Sequence, residues 1–280
     1  MNRCPTVETV KHAKSRQLPY TVLAVVFLAI MLFPVYWMIN TSLQPGPSAV
    51  NATFIPLHPS FAAYRQAISD QLGNMKTSLL IAFGTVIFTL VIAAPAAYGL
   101  AKFKLLFGRG VMLALLISQM IPGIVIANSL YTVYVKLGLL NSILGLVLAD
   151  SSAAIPFAIL ILCAFMQSIP SSLVEAARVD GAGHWRAFWS IVVPISKNSI
   201  ITAALFSFLF AWSDFVFALT MTTSNTFRPL SLGIYNYLGS NVQSWAPVMA
   251  TATLAALPAI ILLVFAQRYI SAGALGGAVK

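Results

Sequence analysis

Few side chains in this 280-residue sequence are equipped for covalent chemistry, and they are scattered. The three histidines, His12, His58 and His184, form no His-Glu-x-x-His pattern, so the helix-borne zinc site of a hydrolase is missing. No lysine follows a glycine, which removes the Gly-Lys-Ser/Thr phosphate loop of an ATP-hydrolysing chain. Cys4 and Cys163 have no partner at metal-ligand or disulfide spacing, and neither a disulfide nor a metal is expected. What remains is polar chemistry in apolar surroundings. Asp150 and Asp214 fall inside long apolar runs, as do Gln119, Asn128 and Tyr131. Such groups are costly to hold in lipid, and they either line a path for a polar solute or bond helix to helix.

The elements that must position these residues are membrane spans. Hydrophobic residues make up 59% of the chain and charged residues only 8%, against roughly a quarter charged in ordinary soluble domains. Lipid, not water, is the natural solvent for such a surface. Spanning takes about 20 mostly apolar residues, and six stretches qualify: Leu18–Ile39, Ser78–Leu100, Val111–Tyr131, Ile143–Phe165, Ser199–Thr222 and Ala246–Ala266. The first follows a basic segment but has no small-residue cleavage site after it, so it reads as an uncleaved helix. The expected architecture is all-α: a tail over 1–17, a six-span domain over 18–267 and a second tail over 268–280.

The net charge of +10 does not point to nucleic acid, because the basic residues never interleave with aromatics as a stripe. They sort by alternate segments instead. Twelve lie in the N-terminal tail, the second and fourth connections and the C-terminal end, and four in the other connections. The excess of Lys and Arg places both termini in the cytoplasm of a multi-pass inner-membrane protein. On the other side, Thr41–Thr77 is expected to be a folded excursion.

The connection from Ile169 to Pro194 has its own helical grammar. Ser172 followed by Glu175 fits a capping box, which predicts a short helix starting at Leu173. Gly181 and Gly183 interrupt it. A second short helix then presents Trp185, Phe188, Trp189 and Val192 on one face, and Pro194 is expected to end it. Two readings of this unit compete: an amphipathic helix lying on the bilayer, or a peg shaped to dock with a partner.

Glu175-Ala176-Ala177 followed by Asp180-Gly181-Ala182, and then by Ile191 and Pro194, resembles the EAA loop of bacterial ABC importer permeases. Val193 stands where the family usually has Leu, and Asn198 where a second proline is frequent. Ala211-Trp212-Ser213-Asp214-Phe215 is similar to the family's Trp-Asn-Asp stretch, with Ser213 in place of Asn. Most of the chain resembles the smaller permease of maltose-type carbohydrate importers, which implies the six-helix core of type I importers.

The resemblance implies that the 169–194 segment is a coupling helix seated in a cytoplasmic ATPase subunit. Glu175 would make polar contacts there, Ala176 and Ala177 would give a close seat, and Asp180, Gly181 and Ala182 the turn. The implied partners are a second homologous permease, two ATPase subunits that carry ATP and Mg, an extracytoplasmic solute-binding protein and a sugar. No cofactor is expected on this chain. By the same resemblance, Arg228, Tyr235, Asn236 and Tyr237 in the external segment Thr223–Trp245 would touch the binding protein.

Gln119, Asn128, Tyr131, Asp150, Trp212 and Asp214 are the candidate pathway residues. Asp214 is either structural, beside Trp212, or turned to the pathway. Asp150 has no counterpart in the family pattern, and either accepts sugar hydroxyls or sits in a wet vestibule. A stand-alone secondary carrier would share the composition and the buried carboxylates, but would leave the glycine-hinged peg unexplained.

Overall fold

A computed structural model describes residues 7–44, 53–103, 105–224, 227–239 and 244–278. The described residues hold helices and no strand: α1 (Val7–Ser42), α2 (Ala62–Lys102), α3 (Gly108–Ser118), α4 (Gly123–Leu137), α5 (Ile143–Ser168), α6 (Ser171–Val179), α7 (His184–Ala187), a π turn (Phe188–Val192), α8 (Val193–Ile195), α9 (Lys197–Ser213), α10 (Val216–Met221), α11 (Leu230–Gly239) and α12 (Ala246–Ala278). Four stretches, in α1, α2, α5 and α12, are long and apolar enough to cross a bilayer. With each of two bent pairs, α3 with α4 and the 184–195 run with α9, counted as one span, the number is six.

The chain forms two compact units, residues 1–68 with 242–253 and residues 69–241 with 254–280. In the first, α1 exposes apolar side chains around its whole circumference, Leu23, Phe27, Ile30 and Phe33 among them, as a helix facing lipid does. Its end is pinned by polar contacts. Asn40 donates to the Thr53 carbonyl at 2.6 Å, and the Ser42 and Tyr64 hydroxyls meet at 2.7 Å.

The second unit is built around α5, the most buried of the four spans. It packs most extensively along α9, where Ala154, Ala158, Ala203 and Ala211 are buried. Small side chains let the two backbones approach closely, which is how helices associate where no water drives them together.

Four expectations are corrected. The Val111–Tyr131 stretch is no single helix: α3 and α4 meet at 96° across a break at 119–122. Pro122 has no N–H to continue the ladder and takes the capping conformation before α4, φ −59° and ψ 134°. The Ser199–Thr222 stretch is interrupted at Asp214, whose extended backbone separates α9 from α10. The long excursion is also shorter than Thr41–Thr77, because α2 starts at Ala62. Likewise, much of Thr223–Trp245 is helix α11 rather than loop.

Candidate functional site

The segment between α5 and α9 begins where the capping box was expected, yet the box does not form. Helix α6 starts at Ser171 behind Pro170, with no side-chain cap. Pro170 at the cap position, φ −57°, presets the entry, which leaves Ser172 two positions inside the helix, too far in to cap it. Ser172 and Glu175 are both exposed.

The other end of α6 is tightly specified. Gly181 has φ +84°. Its amide donates to the Arg178 carbonyl at 3.1 Å, and the Ala182 amide donates to the Ala177 carbonyl at 2.9 Å. This is a Schellman ending, with the left-handed position taken by the residue that adopts it most cheaply. The pattern Ala177, Asp180-Gly181-Ala182 is therefore a helix stop written in sequence.

After the turn, α7 runs into the π turn and α8 before the chain bends by 80° into α9. Pro194 sits inside α8 instead of ending the helical run, and Ser196 is the break. Proline leaves the carbonyl four residues back without a donor, and the widened turn before it absorbs that mismatch.

The unit is anchored on one side only. Val174, Ala187, Phe188 and Val192 are buried in one cluster with Ala97 and Tyr98 of α2, Leu162 and Met166 of α5, and Ala203 of α9. Tyr98 and Phe188 rings lie 5.2 Å apart. Lys102, at the end of α2, donates to the Ile169 carbonyl. The opposite side is open: Glu175, Ala176, Arg178 and Asp180 are exposed, as are Val179 (88%), Trp185 (63%) and Trp189 (54%). Of the expected aromatic face, Phe188 and Val192 hold the base while Trp185 and Trp189 face outward. A firmly packed base beneath an apolar, charged outer face fits both a docking peg and a helix lying on the bilayer.

Within the bundle, Asp214 accepts the amides of Phe217 at 3.3 Å and Ala218 at 2.9 Å. It caps α10 after the break. Trp212 beside it donates its indole N–H to the Ala255 carbonyl at 2.9 Å and stacks on Phe208 at 5.6 Å. Asp150 is buried on α5 at 4% exposure, and its Oδ1 has no hydrogen-bond partner among the described residues. Asp150 and Asp214 line one narrow cleft. Gln119, at the α3–α4 break, donates to the Ala153 carbonyl at 3.1 Å. Asn128 and Tyr131 lie beyond the bend on the exposed side of α4, so the structure does not bring them together with the two carboxylates.

Toward the opposite end, Tyr237 donates to Asp70 at 2.9 Å, and Tyr235 packs against Phe215 at 5.5 Å while half exposed. Arg228 is half-buried. Asn236 lies on α11 with its side chain outside those described. Sequence reasoning missed Asn141. Its φ of 55° is the single positive value at a non-glycine among the described residues. Its side chain clamps the α10–α11 connection, accepting the amides of Thr223 and Ser224 at 2.8 Å and donating to the Thr223 hydroxyl at 2.9 Å. An Asn three residues after a glycine helix stop, Gly138, was the available signal.

Residues 90–275, which include the α6 peg and both carboxylates, match the family described as binding-protein-dependent transport system inner membrane component. The chain belongs to this family. It is a multi-pass inner-membrane transport permease. A putative ABC transporter permease protein of Streptomyces antibioticus is 36% identical over 228 residues, 81% of this chain and all of that one. The trehalose transport system permease protein SugB of Mycobacterium tuberculosis is 31% identical, over 93% of this chain and 97% of its own. The diacetylchitobiose uptake system permease protein DasC of Streptomyces coelicolor is 30% identical, over 92% and 95%. In fold, this permease is similar to a chain of a bacterial ABC transporter that imports the acidic polysaccharide alginate, with a TM-score of 0.77 at 21% identity, over 96% of this chain and 99% of that one. That likeness supports the type I importer core expected from the sequence.

Proposed function

We propose that this permease forms half of the translocation pathway of an ATP-driven sugar importer and takes its energy through α6. The observation that carries the reading is the one-sided anchoring of α6. Val174 and Ala177 fasten it to the ends of α2, α5 and α9, while Glu175, Ala176, Arg178 and Val179 face away from the bundle. A peg held this firmly moves as one body with the helices beneath it, so closure of an ATPase pair around its outer face rocks the bundle between outward-facing and inward-facing states. The ATPase partners supply ATP and Mg, a second homologous permease completes the pathway, and a solute-binding protein delivers the solute at the far end, where Arg228, Tyr235, Asn236 and Tyr237 lie.

The basic residues support cytoplasmic termini. The Lys102 contact with Ile169 brings the end of α2 beside the start of the peg, which agrees with Lys102 and Arg178 sharing one side of the membrane. Sugar as the solute class rests on the relatives named for trehalose and diacetylchitobiose. The test is uptake of labelled trehalose, maltose and diacetylchitobiose by cells lacking this gene and by cells complemented with it. Restored uptake that stops when ATP is depleted supports the reading. Uptake that survives ATP depletion and collapses with the ion gradient would identify a secondary carrier instead.

A further inference from the structure

The cleft between α5 and the α9–α10 break holds two carboxylates, Asp150 and Asp214, and none of the side chains lining it is basic. Ser78, Ile81, Leu146 and Ala218 form much of the remaining wall. The space is large enough for one water-sized particle. Asp214 has fixed partners in the Phe217 and Ala218 amides. Asp150 has none on Oδ1, although it is 96% buried by the 4% exposure of its surface.

Asp214 lies near enough to act on Asp150 electrostatically. Tyr134 of α4 is the other titratable group turned toward it, and its hydroxyl is engaged with the Gly145 carbonyl at 3.1 Å. Two carboxylates sharing a dry site do not both stay ionised without compensation, and a buried charge is paired, neutralised or bound to a cation. Among the described residues no basic side chain lines this cleft, and the compensation is assigned to a charge from outside the chain. The Ser78 hydroxyl, which accepts the Leu230 amide at 2.8 Å, adds a further oxygen to the wall.

We propose that the Asp150–Asp214 cleft binds one small cation, an alkali-metal ion or a proton, and that this charge holds α5 closed against the α9–α10 break. The site is independent of the solute, because it is too small for a sugar.

The full chain in nanodiscs of neutral lipid decides it, by its unfolding midpoint in sodium, potassium or choline chloride at constant ionic strength and across a pH series. A saturable rise of a few degrees in sodium or potassium over choline, lost in Asp150→Asn, identifies an alkali ion. With no difference among the salts, a midpoint that falls as pH rises in the native chain, and stays flat by comparison in Asp150→Asn, identifies a proton. Asp214→Asn keeps an oxygen for one of the two amides and should give the same loss, so the comparison survives if one variant does not fold. Native and variant chains that respond identically to every salt and every pH would overturn the proposal.

Discussion

The amide of Ala182 donates to the carbonyl of Ala177 at 2.9 Å, across a glycine held at φ +84°. That bond ends α6 and fixes the direction in which the chain leaves it. A Cβ at Gly181 would meet nothing within 4 Å, so the glycine is required by backbone conformation alone. Replacing it with Ala costs about 1–2 kcal/mol locally, the penalty of an L-residue in the left-handed region. Gly181→Asn costs less, since Asn visits that region more readily. Amide exchange at Ala182 reads this directly: faster in Gly181→Ala than in Gly181→Asn, and slowest in the native chain.

Base and outer face of the peg are separable by substitution. Val174→Ala removes buried side chain from the cluster with Met166 and Ile169 and destabilises the chain by about 1–3 kcal/mol. Val179→Ala, at a side chain 88% exposed, changes the stability of the isolated chain by less than about 0.5 kcal/mol, and it weakens retention of the ATPase. Thermal unfolding and copurification together distinguish the two effects.

The cap at the helix break gives a second local test. Asp214→Ala leaves the amides of Phe217 and Ala218 without their acceptor and costs about 0.5–2 kcal/mol. Asp214→Asn preserves an oxygen and costs less. Hydrogen exchange should quicken at Phe217 and Ala218 in the Ala variant, with α9 unchanged.

Asn141 predicts a third. Asn141→Ala loses three hydrogen bonds to Thr223 and Ser224 and keeps a positive φ without help, a combined cost of about 1–3 kcal/mol. Asn141→Gly relieves the backbone but loses the clamp. Both variants should therefore be cut faster by protease near Thr223, with Ala the less stable of the two.

The apolar runs were legible because lipid demands long stretches of one character, and the glycine stop of α6 was legible because few residues adopt φ +84°. The capping box failed for a local reason: Pro170 starts α6 two residues before Leu173, and Ser172 then cannot cap it. Pro122 was visible as a disturbance, but the 96° angle depends on what α3 and α4 pack against. The role of Asp214 was readable as one of two alternatives, and only the positions of the Phe217 and Ala218 amides settled its capping. The Asn141 clamp joins residues 82 positions apart, a pairing that no local spacing reveals. The same holds for Gly233, where a Cβ would fall 2.0 Å from the Gln71 amide oxygen, marking how closely α11 lies on α2.

The most direct test of the coupling account is purification of the tagged chain in mild detergent from cells expressing its neighbouring genes, comparing native protein with Val179→Asp on the outer face of α6. The account predicts that an ATPase bearing a Gly-Lys-Ser/Thr phosphate loop copurifies with the native chain and is lost from the variant, while both chains unfold at the same temperature. Equal retention of the ATPase by both forms, or its absence from both, would contradict the assignment of α6 as the coupling helix.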